Sequence, residues 1–316
     1  MWPPARPVPP GRERGEEVRR RFAEEARAER PDLATLCLLV GAAADGSLDD
    51  AGMDAVDVRL DELAGQLPFR PGGPRSWARA LAELLGGRLG FAGTPADYQR
   101  LESSLLHEVL RRRRGLPILL SVLWMEVARR AGAPVYGVAL PGHFVVGFGS
   151  VEELGAGGGR GAGSGPGPGG GIGAGGTFGA GGEQVLADPF AGGRVLTGDD
   201  AELLVAGTTG AALDPAMLTP ADPLDIVLRV LNNVRAWAAA RPERSDVALW
   251  ALELSLRLPA HPARLRYEYA RTLVLRGEFL AGAEQLEAYA EVVGALDEAA
   301  ADTVRAEARG ARARLN

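Results

Sequence analysis

The sequence predicts an α+β chain in which a domain of helices and antiparallel strands is followed by an all-α tail. Two β-rich runs, Val135 to Leu140 and His143 to Phe148, flank the turn-forming pair Pro141-Gly142. A third apolar run, Gln184 to Ala187, follows a glycine-rich stretch. From Pro223 onward the pattern changes to Ala-rich amphipathic segments near 223–240, 245–258, 262–275, 279–293 and 297–313, each with helical periodicity.

Before the strands the chain reads as helical. Residues 1–14 are too rich in proline and arginine to pack and are expected to form a disordered leader ahead of a domain spanning 15–222. A polar helix is expected from about Glu16 to Arg27. Asp32 then offers an N-cap for an apolar helix through Leu33, Leu36, Cys37, Leu38, Leu39 and Val40. Residues 50–67 and 76–86 read as further helices. Leu105 to Arg114 forms another, stopped by Gly115, and Leu116-Pro117 opens a long apolar helix reaching Ala131. Proline suits a helix start because its φ is fixed and its missing donor is not needed there.

Composition excludes several chemistries. With 46% hydrophobic and 24% charged residues the chain has the profile of a soluble globular protein. All 35 cationic residues are arginine, so no Schiff-base lysine and no phosphate-loop lysine exists. A net charge of -6 and a pI near 5.3 argue against a nucleic-acid partner, which needs a basic field. One cysteine allows no intramolecular disulfide. Neither a signal-peptide core nor a stretch of ~18 apolar residues is present, so the expected location is the cytoplasm, without membrane contact.

Residues 155–182 hold 17 glycines, the composition of a flexible insertion inside a hairpin rather than of a phosphate loop. The strand beyond it is expected to pair antiparallel with 143–148. Placing Val146 opposite Val185 places His143 opposite Asp188, with β-carbons roughly 5 Å apart. Long insertions are tolerable because loop closure costs only ~0.6 kcal/mol per doubling of length. A histidine held by a carboxylate is the orienting half of a Cys-His-Asp triad.

In the tail, the turn at Arg276-Gly277-Glu278 lies between Tyr267, Ala270 and Leu273 on one side and Ala283, Leu286 and Tyr289 on the other. This looks like a tetratricopeptide-type helical hairpin. Further stretches share an order and spacing: Arg112-Arg113-Arg114-Gly115-Leu116-Pro117-Ile118, Glu126 to Gly132, Pro141-Gly142-His143-Phe144, Asp188-Pro189-Phe190 with Gly192-Gly193-Arg194, and Leu228 to Asn233. Together they resemble the bacterial SirB family over roughly residues 30–295. The resemblance implies a transglutaminase-like (papain-like) domain over 15–222 and a tetratricopeptide-like domain over 223–316.

In that superfamily a cysteine at the N-terminus of a long helix attacks a carboxamide carbonyl, helped by a histidine and an aspartate on neighbouring strands. A helix N-terminus favours a thiolate and helps hold an oxyanion. Carried over by spacing, His143 and Asp188 match the histidine and aspartate, while Pro117 stands at or beside the cysteine position. Ser121 lies one turn deeper on the same helix face as a substitute nucleophile, but displaced by roughly 5 to 6 Å, beyond hydrogen-bond reach of the base. Cys37 is expected to pack as a small hydrophobe.

The remaining polar features point elsewhere. His107 has Arg111 where a zinc helix would need its second histidine, and His261 reads as a loop residue before a helix. The acidic stretches at Asp45 to Asp50 and at Asp54, Asp57 and Asp61 lack calcium-loop spacing. Arg111 to Arg114 are expected to complement the end of a helix dipole, with a grip on an acidic partner as the alternative. The expectation is therefore a metal- and cofactor-independent pseudoenzyme that binds a protein or peptide through its helical tail or its remnant cleft. The alternative is an active amide hydrolase or acyl transferase in which a His143–Asp188 dyad activates water.

Overall fold

A computed structural model describes residues 7–69, 72–149 and 184–315. By contact the chain separates into two units, one spanning 50–222 and the other joining the stretch up to Asp49 with Pro223 onward. The glycine-rich insertion at 155–182 lies outside the described residues. Among those residues, no helix is long and apolar enough to cross a membrane.

The 50–222 unit begins with α3 (Asp50–Ala64) and α4 (Pro74–Leu81), after α1 (Arg12–Glu25) and α2 (Leu33–Ala44) of the other unit. The chain continues from α4 directly into a π-helix, Ala82–Arg88. Short 3-10 turns at Pro95–Gln99 and Leu101–Ser104 lead to α5 (Leu106–Arg112) and α6 (Pro117–Arg130). Proline occupies the first turn of both α4 and α6. From Pro117 to Ala128 every residue of α6 is buried, which identifies it as the central helix.

Four strands follow as an antiparallel meander: β1 (Val135–Val138), β2 (Val145–Phe148), β3 (Val185–Asp188) and β4 (Arg194–Leu196). Helix α7 (Gly198–Thr209) then packs Ala201 and Val205 onto Tyr136, Val138, Val145 and Leu186 of the sheet. Helices α4 and α6 also pack on the sheet. Arg130, at the end of α6, reaches Asp57 and Asp61 of α3 at 2.8 Å each and ties the two helices together.

The expected hairpin across the insertion exists, but its register differs by two residues. Val146 pairs with Ala187, not Val185. Because side chains alternate with period two, this shift keeps every residue on its expected face. It turns His143 and Asp188 from directly opposed partners into diagonal neighbours, which long side chains still bridge.

The domain boundary also differs from expectation. Residues 15–49 pack with the C-terminal helices, and α1 starts at Arg12, inside the stretch read as a leader. Val18 and Phe22 of α1 are fully buried, and Arg19 pairs with Glu253 at 3.1 Å. Asp32 caps α2 as predicted, its side chain accepting from the Thr35 N–H at 2.8 Å. The rest of this unit is a run of antiparallel helices: α8 (Pro223–Ala239), α9 (Ser245–Ser255), α10 (Arg264–Leu275), α11 (Phe279–Gly294) and α12 (Glu298–Ala313). Small residues at Ala270, Gly282, Ala283, Ala290, Ala301 and Ala308 let α10, α11 and α12 approach closely.

Candidate functional site

The site assembles where β2, β3 and the turn after β3 meet. His143 precedes β2 in the Pro141-Gly142 turn, where Gly142 takes φ +68. Its Nε2 lies 3.1 Å from Oδ2 of Asp188, the last residue of β3. The approach is within ion-pair distance but off the axis of an aligned hydrogen bond. Both side chains are largely shielded, at 13% and 7% exposure, so neither carboxylate nor ring is freely solvated.

Asp188 is anchored independently of the histidine. Its Oδ1 accepts the Phe190 N–H at 2.9 Å and its carbonyl accepts the Gly193 N–H at 2.8 Å. These bonds close the Asp-Pro-Phe turn locally, in the manner of an Asx turn. The Phe190 ring stands edge-on to His143, with centroids 6.1 Å apart, and edge-on to Tyr98 at 6.3 Å. Tyr98 comes from the 3-10 turn held by the Thr94–Asp97 capping box. Burial, with the Asp188 carboxylate as a second cause, pushes the Tyr98 phenol above its ordinary range.

The N-terminus of α6 belongs to the same neighbourhood. A β-carbon on Gly93 would overlap the Phe190 ring and lie 2.7 Å from the Gly115 carbonyl, so the turn after β3 and the residues leading into α6 converge there. Leu116 caps α6 with no side-chain bond, and Pro117 has no N–H. Ser121 is fully buried, and its hydroxyl donates to the Phe144 carbonyl at 3.2 Å. That bond joins α6 to the residue after His143 and commits the hydroxyl to the backbone.

Ser121→Ala should therefore cost ~1 kcal/mol of stability. A urea titration reads this as a lower midpoint at unchanged slope. An unchanged midpoint would show that the bond contributes nothing.

The other candidates are placed elsewhere. Cys37 is buried in α2, in the other unit, and residues 50–222 contain no cysteine. His261 accompanies the Leu258 carbonyl at 3.0 Å just before α10, a loop position as expected. The Arg111 to Arg114 run is tied down within its own unit. Arg111 bonds Glu108, Arg112 bonds Ser103, Arg113 bonds the Leu89 carbonyl and Arg114 the Gly90 carbonyl. Arg113 takes φ +57, so it is this arginine, not Gly115, that ends α5 in the left-handed region.

Sequence reasoning did not single out Tyr98, Gly93 or the π-helix. Gly86 of that helix packs so tightly on the Gly192 backbone that a β-carbon would overlap the Gly192 carbonyl. Pairs such as Gly86-Gly87 and Gly192-Gly193 were the available signal, since paired glycines mark close backbone approach.

A meander of strands laid against a central helix, with a histidine–aspartate contact beside that helix's N-terminus, defines a transglutaminase-like domain. A tetratricopeptide-type helical unit follows it. The sequence profile of the Transglutaminase-like superfamily matches residues 54–232, more than half of the chain, and that of the Tetratricopeptide repeat matches 234–316. The chain belongs to the transglutaminase-like superfamily.

A UPF0162 protein of Xylella fastidiosa (strain 9a5c) is 32% identical over 193 residues, covering 59% of this chain and 58% of that protein. A UPF0162 protein of Pseudomonas aeruginosa is 30% identical over 142 residues, covering 45% and 41%. F-box only protein 21 of Mus musculus is 39% identical over 67 residues, 21% of this chain and 11% of that protein. The chain thus matches 58% of the length of the UPF0162 relative from Xylella.

Proposed function

We propose that this is a cytoplasmic protein of the SirB family whose transglutaminase-like domain has lost its nucleophile and acts as a protein-binding or regulatory module. One observation carries the reading: His143 and Asp188 stay in contact at 3.1 Å while no cysteine occurs anywhere in residues 50–222. Covalent acyl transfer needs an attacking atom within about 2.6 to 3.2 Å of its base. At the helix start where the superfamily carries that atom, this chain has Pro117, and proline has none to offer. Ser121, one turn deeper, is bonded to Phe144. The tetratricopeptide-type unit supports the binding side of the proposal, because stacked helix pairs of this kind present concave surfaces to partner chains.

The test is catalytic silence. The full chain is incubated with a glutamine-containing peptide and a primary amine, following ammonia release and the intact mass of the protein. Wild type and His143→Ala should release ammonia at the same background rate, with no acyl adduct on the chain. Release by wild type that disappears in His143→Ala would replace this reading with an active enzyme in which the dyad directs water at an amide carbonyl.

A further inference from the structure

Helices α8, α9 and α10 enclose an open cleft of about 530 Å³, entirely within the helical unit. Ala238, Ala248 and Leu252 form an apolar floor, and Arg235, Arg241 and Arg271 line the rim with a single carboxylate, Glu268. Glu268 is already shared by Arg235 at 2.9 Å and by Arg264 at 3.1 Å. Arg271 is exposed, lies 5.7 Å from the Tyr267 ring centroid and forms no ion pair among the described residues. Arg241, also lining the cleft, is stacked 4.4 Å over the Trp237 ring and donates to the Trp237 carbonyl at 2.8 Å, which fixes its guanidinium.

This positive rim stands in a chain whose net charge is -6, so it is a local arrangement and not part of a general basic field. It also carries a cost: burial, the largest cause, lowers the Arg235 pKa against the opposing pull of Glu268, and Arg264 adds repulsion. An incoming carboxylate would offset both. A planar carboxylate matches the guanidinium fork, and an aliphatic side chain beside it would cover the alanine and leucine floor.

We propose that this cleft binds an acidic segment of a partner protein, with a carboxylate on Arg241 and Arg271 and a neighbouring aliphatic side chain on Ala238, Ala248 and Leu252. The assignment rests on the binding-module reading and specifies the chemistry of the partner. A nucleic acid is the poorer fit, because a net-negative chain with one short positive rim cannot track a phosphate backbone.

The experiment is selection from a random octapeptide display library on the full chain, followed by fluorescence anisotropy with the synthesised winners. Winners should carry Asp or Glu next to Leu, Ile or Val, and should bind more weakly as salt rises. Arg271→Glu, which reverses the rim charge, and Ala239→Trp, which fills the cleft from its exposed lip, should each weaken binding about tenfold or more, as expected at a central contact. Arg271→Lys, which keeps the charge but not the planar fork, should retain only part of the affinity. Circular dichroism of each variant checks that the helices remain. Winners without acidic residues, or winners that ignore both Arg271→Glu and Ala239→Trp, overturn the cleft assignment while leaving the module reading in place. A selection that yields no binder overturns the cleft as well. The module reading itself fails separately, through ammonia release that depends on His143.

Discussion

Gly193→Ala should destabilise the 50–222 unit by ~3 kcal/mol or more, the sum of a left-handed backbone penalty and overpacking against a fixed ring. Gly193 has φ +88, and a β-carbon there would overlap the Trp124 ring and come within 2.9 Å of the Ala82 β-carbon. Trp124 is fully buried on α6 and cannot move aside. Gly192 supplies the control, since it has φ +69 but open space around its β-carbon position. Gly192→Ala should cost only the backbone share, about 1 kcal/mol. Hydrogen exchange of the β3 amides localises the loss to this unit, which a single global melt of a two-unit chain does not. Equal costs for the two substitutions would show that the Trp124 contact is not what positions the turn.

The functional consequence follows from the same packing. The Gly193 N–H bonds the Asp188 carbonyl, and the Phe190 N–H bonds its side chain. A displaced turn therefore moves the carboxylate that faces His143. The turn is wedged between the π-helix at Gly86, Gly93 and the Trp124 ring, so the residues that hold the pair lie far from it in sequence.

That separation explains what was legible in advance. The C-terminal helices came within a few residues of their observed limits, because each carries a full amphipathic face and a capping or breaking residue. Helix α6 was equally clear, from proline in its first turn and a continuous apolar run. The histidine–aspartate pairing was legible from the hairpin pattern and the family resemblance. Its register was not, because a shift of two residues satisfies the same alternation of faces.

Three other features were missed for identifiable reasons. The π-helix has no periodic signature of its own, and its first residues read as the end of a helix over 76–86. Strand β4 is three residues long, too short for periodicity. The packing of α1 and α2 with the C-terminal helices is a non-local contact. Burial of Val18 and Phe22 needs an apolar partner, and nothing in the local pattern says which.

In the proposed function, α6 and the His143–Asp188 pair keep a catalytic frame in which Pro117 has replaced the attacking atom. Restoring that atom tests it most directly. In Pro117→Cys, the new thiol would stand at the start of α6, whose N-terminus carries no side-chain cap and favours an anion. Its alkylation by iodoacetamide near pH 6.5 is measured by mass spectrometry, with buried Cys37 as the internal reference. The thiol at position 117 should be alkylated about tenfold or more faster than Cys37, with the excess lost in Pro117→Cys/His143→Ala. A thiol at position 117 that reacts no faster than Cys37, or at a rate indifferent to His143, would contradict it.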